Sequence, residues 1–379
     1  MRWARAEIDL DALAHNVGLI GDLVAPAAVW AVVKADGYGH GAVPVARAAL
    51  AAGAQGLCVA LVEEGVELRA AGIVAPVLVL SEQPPEQLDA VVAHSLTPTV
   101  YSTTAVEALA AAVRRASQTR YPVHLKIDTG MHRVGVQPDA AVAVAVAVAS
   151  HASLRLEGVF THLAMADDPA AVANEVQLRC FDDVLAALRA GGHHPPMVHA
   201  ANSAGALSLP AARHDLVRVG IAMYGVEPGP GVSHLCGGLR PVLSLRARVS
   251  HVKRVAAGQG ISYGLRHTFA GDTSVATVPL GYADGVPRRL FGHGGEVLIG
   301  GVRRPIVGVV TMDQLMVDCG DDAVAVGDEV VLIGRQGAMS NAGDHRVDEI
   351  RAEEWADRLG TIGYEILCGI SKRIGRLYP

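Results

Sequence analysis

Residues 29–41 read VWAVVKADGYGHG, an apolar run that ends at Lys34 and is followed by Gly37, Gly39 and Gly41. Near-continuous apolar runs of this length are typical of strands that are buried on both faces of a parallel sheet. Glycines directly after such a run favour a tight turn into a helix. The stretch therefore predicts one strand–turn–helix unit. Taken alone, it also fits an ordinary turn whose lysine side chain extends to water.

Further apolar runs of the same kind follow at regular spacing, each with a helix-like stretch after it. They are GLCVAL (56–61), PVLVLS (76–81), LTPTVYS (96–102), YPVHLKID (121–128), LRLEGVFTHL (154–163), MVHAANS (197–203) and LVRVGIAMYG (216–225). Eight such units within about 230 residues predict a (β/α)₈ barrel. The alternative is a doubly wound open sheet, but no GxGxxG motif follows the first strand.

Two helices are predicted from their local pattern. In residues 11–24, Leu13, Val17, Ile20 and Val24 share one helical face. Residues 139–150 alternate alanine and valine with the period of a strand, but alanine is the best helix former and a helix is due there. We therefore predict a helix for both stretches.

The pattern changes near residue 230, where PGPGVSHLCGG (228–238) is typical of a linker. Strand-like runs separated by glycine turns come next, and a helical pattern returns only in residues 349–360. These runs are residues 242–255, 273–283, 296–310, 315–320 and 329–334. We predict a barrel domain over 1–232 and a mainly antiparallel β domain over 233–379, so the fold class is α/β plus β.

Composition excludes several classes of protein. The net charge of the 379 residues is −6 with scattered basic residues, so neither a nucleic acid nor an anionic membrane is expected as a partner. The five cysteines form no CxxC motif, and no metal-ligand spacing is found among the histidines. The N-terminus lacks the apolar core of a signal peptide, and the longest apolar run, 140–149, is too short to span a bilayer. A cytoplasmic protein without a metal is expected.

In a (β/α)₈ barrel the active site lies at the carboxyl ends of the strands, and this sequence places several polar residues there. They are Lys34, Lys126, Asp128, Arg133, His162, His199, Asn202, Ser203 and Arg218. Strand ends are often polar only because water is near, and this simpler interpretation suits Asp128 and His199. It does not suit Arg218, because the surrounding LVRVGIAM is otherwise apolar and a buried arginine needs a partner.

Phosphate sites in such barrels often use the loops after the last two strands. Here those loops offer the Ser203 hydroxyl and the backbone N–H groups around Gly220 and Ile221. Lys34 would then be a lysine close to a phosphate, which is the setting in which a lysine binds pyridoxal phosphate covalently.

Several motifs occur in the order in which one enzyme family has them. They are VVKADGYGHG (32–41), LKIDTGMHRVGV (125–136), HAANSAGAL (199–207), RVGIAMYG (218–225), ISYG (261–264), GYADG (281–285), MDQLMVD (312–318) and YEILCGIS (364–371). Over essentially its whole length the chain resembles the alanine racemases, which are fold-type III pyridoxal-phosphate enzymes. The resemblance implies a pyridoxal 5′-phosphate cofactor and interconversion of L-alanine and D-alanine, which supplies D-alanine for cell-wall peptidoglycan.

The resemblance also implies roles for cofactor-binding residues. Lys34 matches the lysine that holds the cofactor and acts as one base. Arg218 matches the arginine that donates to the pyridine nitrogen, with His162 behind it. The phosphate contacts implied are Tyr38, Ser203, Gly220, Ile221 and Tyr364.

Substrate-side roles follow from the same likeness. Tyr263 matches the second base, and Arg133 matches a ligand of the substrate carboxylate. Met312 and Asp313 match residues that reach the site from the other subunit of a homodimer. Tyr282 matches a residue of the entrance channel, and Lys126 matches a position that is often carbamylated.

The two-base assignment agrees with the chemistry of racemisation. A proton must leave one face of Cα and another must arrive on the opposite face, which requires two acid–base groups on opposite sides of a flat cofactor. Free lysine and tyrosine titrate near ~10.4 and ~10, so both must be tuned downward.

Two other functions fit a cofactor-binding barrel. A fold-type III amino-acid decarboxylase would be expected to have a triple-glycine phosphate segment and a catalytic cysteine in a β-domain loop. The chain has no GGG, and Cys319 and Cys368 lie in strand-like or aliphatic surroundings. A non-catalytic pyridoxal-phosphate carrier would not need the second base that ISYG provides.

Overall fold

The computed structural model describes residues 2–339 and 345–379, and these form two compact units. One unit is residues 11–240, and the other joins the N-terminal residues through Leu10 to residues 241–379. The predicted division placed residues 1–232 together. The difference at the N-terminus has a clear cause, because strand β1 (Ala4–Ile8) pairs antiparallel with strand β10 (Leu243–Arg248), with Ala6 opposite Leu245.

Eight parallel strands form the core of the unit of residues 11–240. They are β2 (Ala28–Val32), β3 (Gly56–Val59), β4 (Val77–Val79), β5 (Thr99–Val100), β6 (Tyr121–Lys126), β7 (Leu154–Phe160), β8 (Met197–His199) and β9 (Leu216–Val219). They run in the orders β4-β3-β2-β9 and β5-β6-β7-β8. Backbone hydrogen bonds join these two sets: Thr97 N donates to Val77 O at 2.8 Å, and Arg218 N donates to Ala201 O at 3.0 Å. The predicted barrel is confirmed.

Helices alternate with these strands. They are α1 (Leu10–Val24), α2 (Lys34–Tyr38), α3 (Ala42–Ala51), α4 (Val62–Ala70), α5 (Leu88–Ala93), α6 (Thr103–Arg115), α7 (Ala141–Ser150), α8 (Val172–Ala190) and α9 (Ser203–Ser208). Short 3₁₀ helices cover Pro85–Gln87, Pro138–Ala140, Pro210–Ala212, Ile221–Tyr224 and Pro230–Leu235.

Both helices predicted from local pattern are confirmed. Helix α1 buries the predicted face of Leu13, Val17, Ile20 and Val24. Helix α7 occupies the alternating alanine–valine stretch, and its buried residues follow helical rather than strand spacing. They are Ala141, Val144, Ala145 and Val148. Helix propensity therefore outweighs the alternation here.

The second unit is mainly antiparallel, as predicted. Besides β1 and β10, its strands are β11 (His251–Val255), β12 (Gly260–Ile261), β13 (His267–Thr268), β14 (Thr273–Val278), β15 (Glu296–Ile299), β16 (Val302–Val307), β17 (Leu315–Asp318), β18 (Glu329–Met339), β19 (His345–Ile350) and β20 (Gly375–Leu377). The main sheet runs β11-β14-β17-β16-β15-β18-β10-β1-β20, with β19 on β18, and β12 pairs with β13 separately.

Two α-helices of this unit, α10 (Ala352–Leu359) and α11 (Gly363–Cys368), lie near the end of the chain. Shorter 3₁₀ helices cover Tyr263–Leu265, Tyr282–Asp284 and Arg288–His293. Across residues 2–339 and 345–379, every helix falls short of the length and apolar character that crossing a membrane requires.

Candidate active site

Lys34 follows strand β2 and opens a left-handed turn. The φ angles of Ala35, Asp36 and Gly37 are 52°, 54° and 61°, and that of Tyr38 is 54°. Left-handed backbone is unfavourable for residues other than glycine, so this turn must be held by its surroundings. Glu64 provides one support, because its Oε1 accepts from Ala35 N at 2.6 Å. The sequence predicted permissive backbone at the glycines but not at Ala35 and Asp36.

The turn buries the Tyr38 side chain against the loop after β9. Tyr38 is 7% exposed, and a Cβ built on Gly220 would lie 2.5 Å from the Tyr38 hydroxyl oxygen. The Ser203 hydroxyl accepts from Gly220 N at 2.9 Å and from Ala222 N at 3.4 Å. The 3₁₀ helix that starts at Ile221 follows directly. The structure therefore brings the predicted phosphate contacts Tyr38, Ser203, Gly220 and Ile221 together.

Arg218 is 4% exposed and its guanidinium is surrounded by acceptors. Its Nη2 donates to Thr161 O at 2.8 Å and to Ala200 O at 3.0 Å, and it lies 3.3 Å from His162 Nδ1. Its Nη1 donates to His199 Nδ1 at 2.6 Å. Burial lowers the pKa of the Arg218 guanidinium to about 10, so it stays a cation at neutral pH. The predicted contact between Arg218 and His162 is present.

His199 was interpreted from the sequence as an ordinary polar residue at a strand end, and the structure shows more. Its ring is stacked on Phe160 with 4.6 Å between ring centroids, and its Nε2 lies 3.0 Å from Nδ1 of His124. Burial and the neighbouring Arg218 hold the pKa of His199 well below its ordinary value. Nothing in the spacing of residues 124 and 199 predicts that they meet, so this pair was missed.

Lys126 ends strand β6 and is 5% exposed. Its Nζ donates to Leu80 O at 3.3 Å and lies 5.4 Å from the centroid of the Phe160 ring. Burial, with the positive charges of Arg218, Arg133 and Lys34, lowers the pKa of Lys126 to about 7. The predicted cationic residues of the barrel therefore act on one another at one end of the strands.

His162 follows strand β7 in the same cationic surroundings. Burial, Arg218 and Lys126 hold the pKa of His162 well below its ordinary value. Arg133 is exposed in the loop after β6, and Asp128 shapes that loop by accepting from Gly130 N at 3.1 Å and His132 N at 2.9 Å.

The second unit groups its own predicted site residues on neighbouring loops. Tyr263, Met312 and Tyr282 are 73%, 52% and 43% exposed. Tyr282 N donates to Thr311 O at 3.0 Å, which joins the GYADG and MDQ loops. The Ser262 hydroxyl donates to Val309 O at 2.8 Å. This bond fixes the residue before Tyr263 beside the segment that follows strand β16. Large side chains that are this exposed in one chain are available to another surface.

Asp313 and Tyr364 belong to the same unit. Asp313 accepts from Arg373 Nη2 at 2.8 Å. Tyr364 lies in the first turn of α11 and is half-buried. The backbone after that helix contacts the GYADG loop, since Ser371 N donates to Asp284 O at 3.1 Å. The carboxylate of Asp284 is in turn bound by Arg2 at 2.6 Å.

Comparison with known proteins gives consistent matches over the whole chain. Residues 8–228 match the family model of the alanine racemase N-terminal domain, and residues 242–378 match that of the C-terminal domain. The alanine racemase of Symbiobacterium thermophilum is 48% identical over 100% of this chain and 97% of its own length.

Solved structures agree. Alanine racemase from Bacillus anthracis with bound L-Ala-P is 38% identical, with a TM-score of 0.91, over 100% of this chain and 95% of that chain. Alanine racemase from Bartonella henselae with covalently bound pyridoxal phosphate is 29% identical, with a TM-score of 0.87, over all of both chains.

Fold-type III enzymes combine a barrel of this kind with a β domain, and the matches to both domains place the chain in that class. Within the class, the chain belongs to the alanine racemase family. The matches do not favour the decarboxylase or the carrier that the sequence left as alternatives.

Proposed function

We propose that this chain interconverts L-alanine and D-alanine by a two-base mechanism with pyridoxal 5′-phosphate, and that it supplies D-alanine for peptidoglycan in the cytoplasm. The observation that carries the proposal is the convergence of Tyr38, Ser203 and Gly220 beside Lys34 and the buried Arg218. This set occurs in a chain whose two domains both match alanine racemase.

The residues present fit the cofactor. A Cβ at Gly220 would lie 2.5 Å from the Tyr38 hydroxyl oxygen, so only glycine lets that hydroxyl lie directly against the backbone of this loop. Tyr38, Ser203, Gly220 and Ile221, with Tyr364, would hold the phosphate. Lys34 would hold the cofactor covalently, and Arg218 would donate to its ring nitrogen, since a guanidinium can only donate.

When bound, pyridoxal phosphate accommodates the negative charge that remains after the Cα proton leaves. Lys34 would take or return that proton on one face, and Tyr263 would do so on the other. Arg133 would bind the substrate carboxylate, because guanidinium and carboxylate form paired charge-assisted hydrogen bonds.

The cationic cluster supports these roles. Arg218 would keep its proton beside the ring nitrogen of a bound cofactor, so that nitrogen would act as an acceptor and would not easily carry a proton of its own. Lys126, with a pKa of about 7, has an appreciable neutral fraction at neutral pH, and only a neutral amine can be carbamylated. A carbamate there would place a negative charge among Arg133, Arg218 and Lys34, which carry positive charge.

The test is chiral analysis of a panel of amino acids incubated with the purified, cofactor-loaded protein. L-alanine should approach an equal mixture of both enantiomers, and D-alanine should approach the same mixture from the other side. Serine and larger amino acids in the panel define the specificity. Release of carbon dioxide without enantiomer exchange would contradict the proposal and would favour a decarboxylase.

Gly220→Ala should weaken retention of the cofactor by roughly tenfold or more, because the new methyl group would displace the Tyr38 hydroxyl. Retention is measured by absorbance after dialysis. Gly18→Ala is a matched control, since a Cβ at Gly18 meets nothing within 4 Å in helix α1. It should leave retention unchanged and raise stability by up to ~1 kcal/mol. Equal retention in both variants would remove Gly220 from the phosphate site.

We also propose that the protein is a homodimer with shared active sites, in which Tyr263, Met312 and Asp313 serve the partner's Lys34. The high exposure of Tyr263 and Met312 in one chain supports this arrangement. The entrance to each site would include Tyr282.

Subunit mixing tests the shared site. Lys34→Ala and Tyr263→Ala should each be inactive, whereas a mixed dimer regains one intact site. Random exchange gives half mixed dimers, so activity should return to about a quarter of the wild-type value. Exchange itself is followed by mass spectrometry of differently tagged subunits. Complete exchange without any recovery would show that both groups act within one chain.

A further inference from the structure

A buried pair of histidines lies behind Arg218, and the direction of its hydrogen bonds is fixed. Arg218 Nη1 lies 2.6 Å from His199 Nδ1, and His199 Nε2 lies 3.0 Å from His124 Nδ1. A guanidinium has no acceptor, so His199 Nδ1 must carry a lone pair. A neutral His199 therefore holds its proton on Nε2 and donates it to His124 Nδ1.

The surroundings keep both rings neutral. His124 and His199 are each 0% exposed. Burial, with the positive charge of Arg218, lowers the pKa of His124 to about 3. A neutral pair can adopt two proton arrangements, but only one of them offers a lone pair to Arg218. Arg218 thus selects the arrangement in which His199 donates from Nε2, and His124 Nδ1 accepts that hydrogen bond.

His124 is also fixed in place. It pairs with Gly158 across strands β6 and β7, and a Cβ at Gly158 would lie 2.5 Å from His124 Nδ1. Among the residues that the structure describes, Nε2 of His124 has no hydrogen-bond partner. An unsatisfied buried polar atom is unfavourable, so the imidazole at this position lowers stability and points to a role in the site.

We propose that His124 is a positioning residue of the reaction. By accepting from His199 Nε2, it holds the His199 ring with Nδ1 toward Arg218, which aims the guanidinium at the ring nitrogen of the cofactor. This inference rests on the proposed function, in which Arg218 donates to that nitrogen. Without an acceptor at position 124, the N–H at His199 Nε2 would be buried without a partner, and the His199 ring would rotate away from Arg218 to find one.

The tautomers can be measured in the wild-type holoenzyme by ¹⁵N NMR of labelled histidine rings, with His199 assigned by loss of its signals in His199→Gln. We expect the proton of His199 on Nε2 throughout the neutral pH range. A proton on Nδ1, or on both nitrogens, would overturn the proposal. This result does not depend on turnover, so failure of the racemase assay alone would count against the proposed function and not against the tautomer.

A pair of variants separates positioning from packing. In His124→Asn the amide oxygen can occupy about the place of Nδ1 and accept, whereas His124→Phe fills the space without an acceptor. His124→Phe should lower kcat roughly 10- to 100-fold with little change in KM, the effect of losing one hydrogen bond to a charged group. His124→Asn should stay within about threefold of wild type. Equal kcat values in two variants of equal thermal stability would overturn the proposal.

Discussion

Lys34→Ala should abolish racemisation, with kcat falling by at least ~10⁴-fold. One general acid–base group alone is worth ~10²–10⁴-fold, and this substitution also removes the amino group that would hold the cofactor. Lys34 is the residue at which the left-handed turn begins, and that turn buries Tyr38 against Gly220. Enantiomer exchange is followed by chiral chromatography, which detects slow residual turnover.

Peptide mapping distinguishes loss of attachment from general damage. Borohydride reduction of the wild-type holoenzyme should fix the cofactor to the peptide that contains Lys34, and the same treatment of Lys34→Ala should label nothing. Lys253→Ala is a matched control on strand β11, where Lys253 is exposed, and it should retain full activity. A label on Lys126, or substantial racemisation by Lys34→Ala, would reject the assignment.

Much of the barrel could be predicted because its signal is local. A strand buried on both faces needs an apolar run, and each of the eight runs overlaps a strand of the observed barrel. The carboxyl ends of these strands must meet at one end of the barrel, so the order of the runs alone placed Lys34, Lys126, Ser203 and Arg218 together.

Contacts between distant parts of the chain could not be predicted in the same way. Strand β1 comes directly before the barrel in the sequence, but it pairs with β10, which lies more than two hundred residues later. His124 and His199 are 75 residues apart and meet only because β6, β7 and β8 are neighbours. The spacing of apolar runs identifies strand ends. It does not show which side chains are directed into the barrel or which of them form a hydrogen bond with each other.

The left-handed turn after Lys34 shows a second limit of prediction from the sequence, which concerns backbone angles. Glycine signals an unusual φ angle, and Gly37 has one, but Ala35 and Asp36 are forced into the same region. Glu64 and Asp36 hold them there by accepting from Ala35 N at 2.6 Å and from Ala42 N at 2.9 Å. Strained backbone of this kind is sustained by long-range contacts and often occurs at functional sites.

Tyr263→Phe is expected to separate the two faces of the reaction. It removes a phenol that is 73% exposed in one chain and leaves Lys34 and the cofactor attachment unchanged. Racemisation should fall by ~10²–10⁴-fold in both directions, because each direction needs a proton removed on one face and delivered on the other. Tyr378→Phe is a matched control on another exposed tyrosine and should behave like wild type.

The rate of Cα proton exchange should not fall equally for D-alanine and L-alanine in this variant. In D₂O, D-alanine should still exchange its Cα proton through Lys34 and return as D-alanine carrying deuterium. L-alanine should exchange far more slowly, because its Cα proton faces the missing phenol. The measurement is NMR loss of the Cα–H signal for each enantiomer, with variant and wild type side by side. If Tyr263 serves only one face, its removal must slow the Cα proton exchange of one enantiomer more than that of the other. Equal exchange rates for both enantiomers would therefore mean that Tyr263 is not the second base.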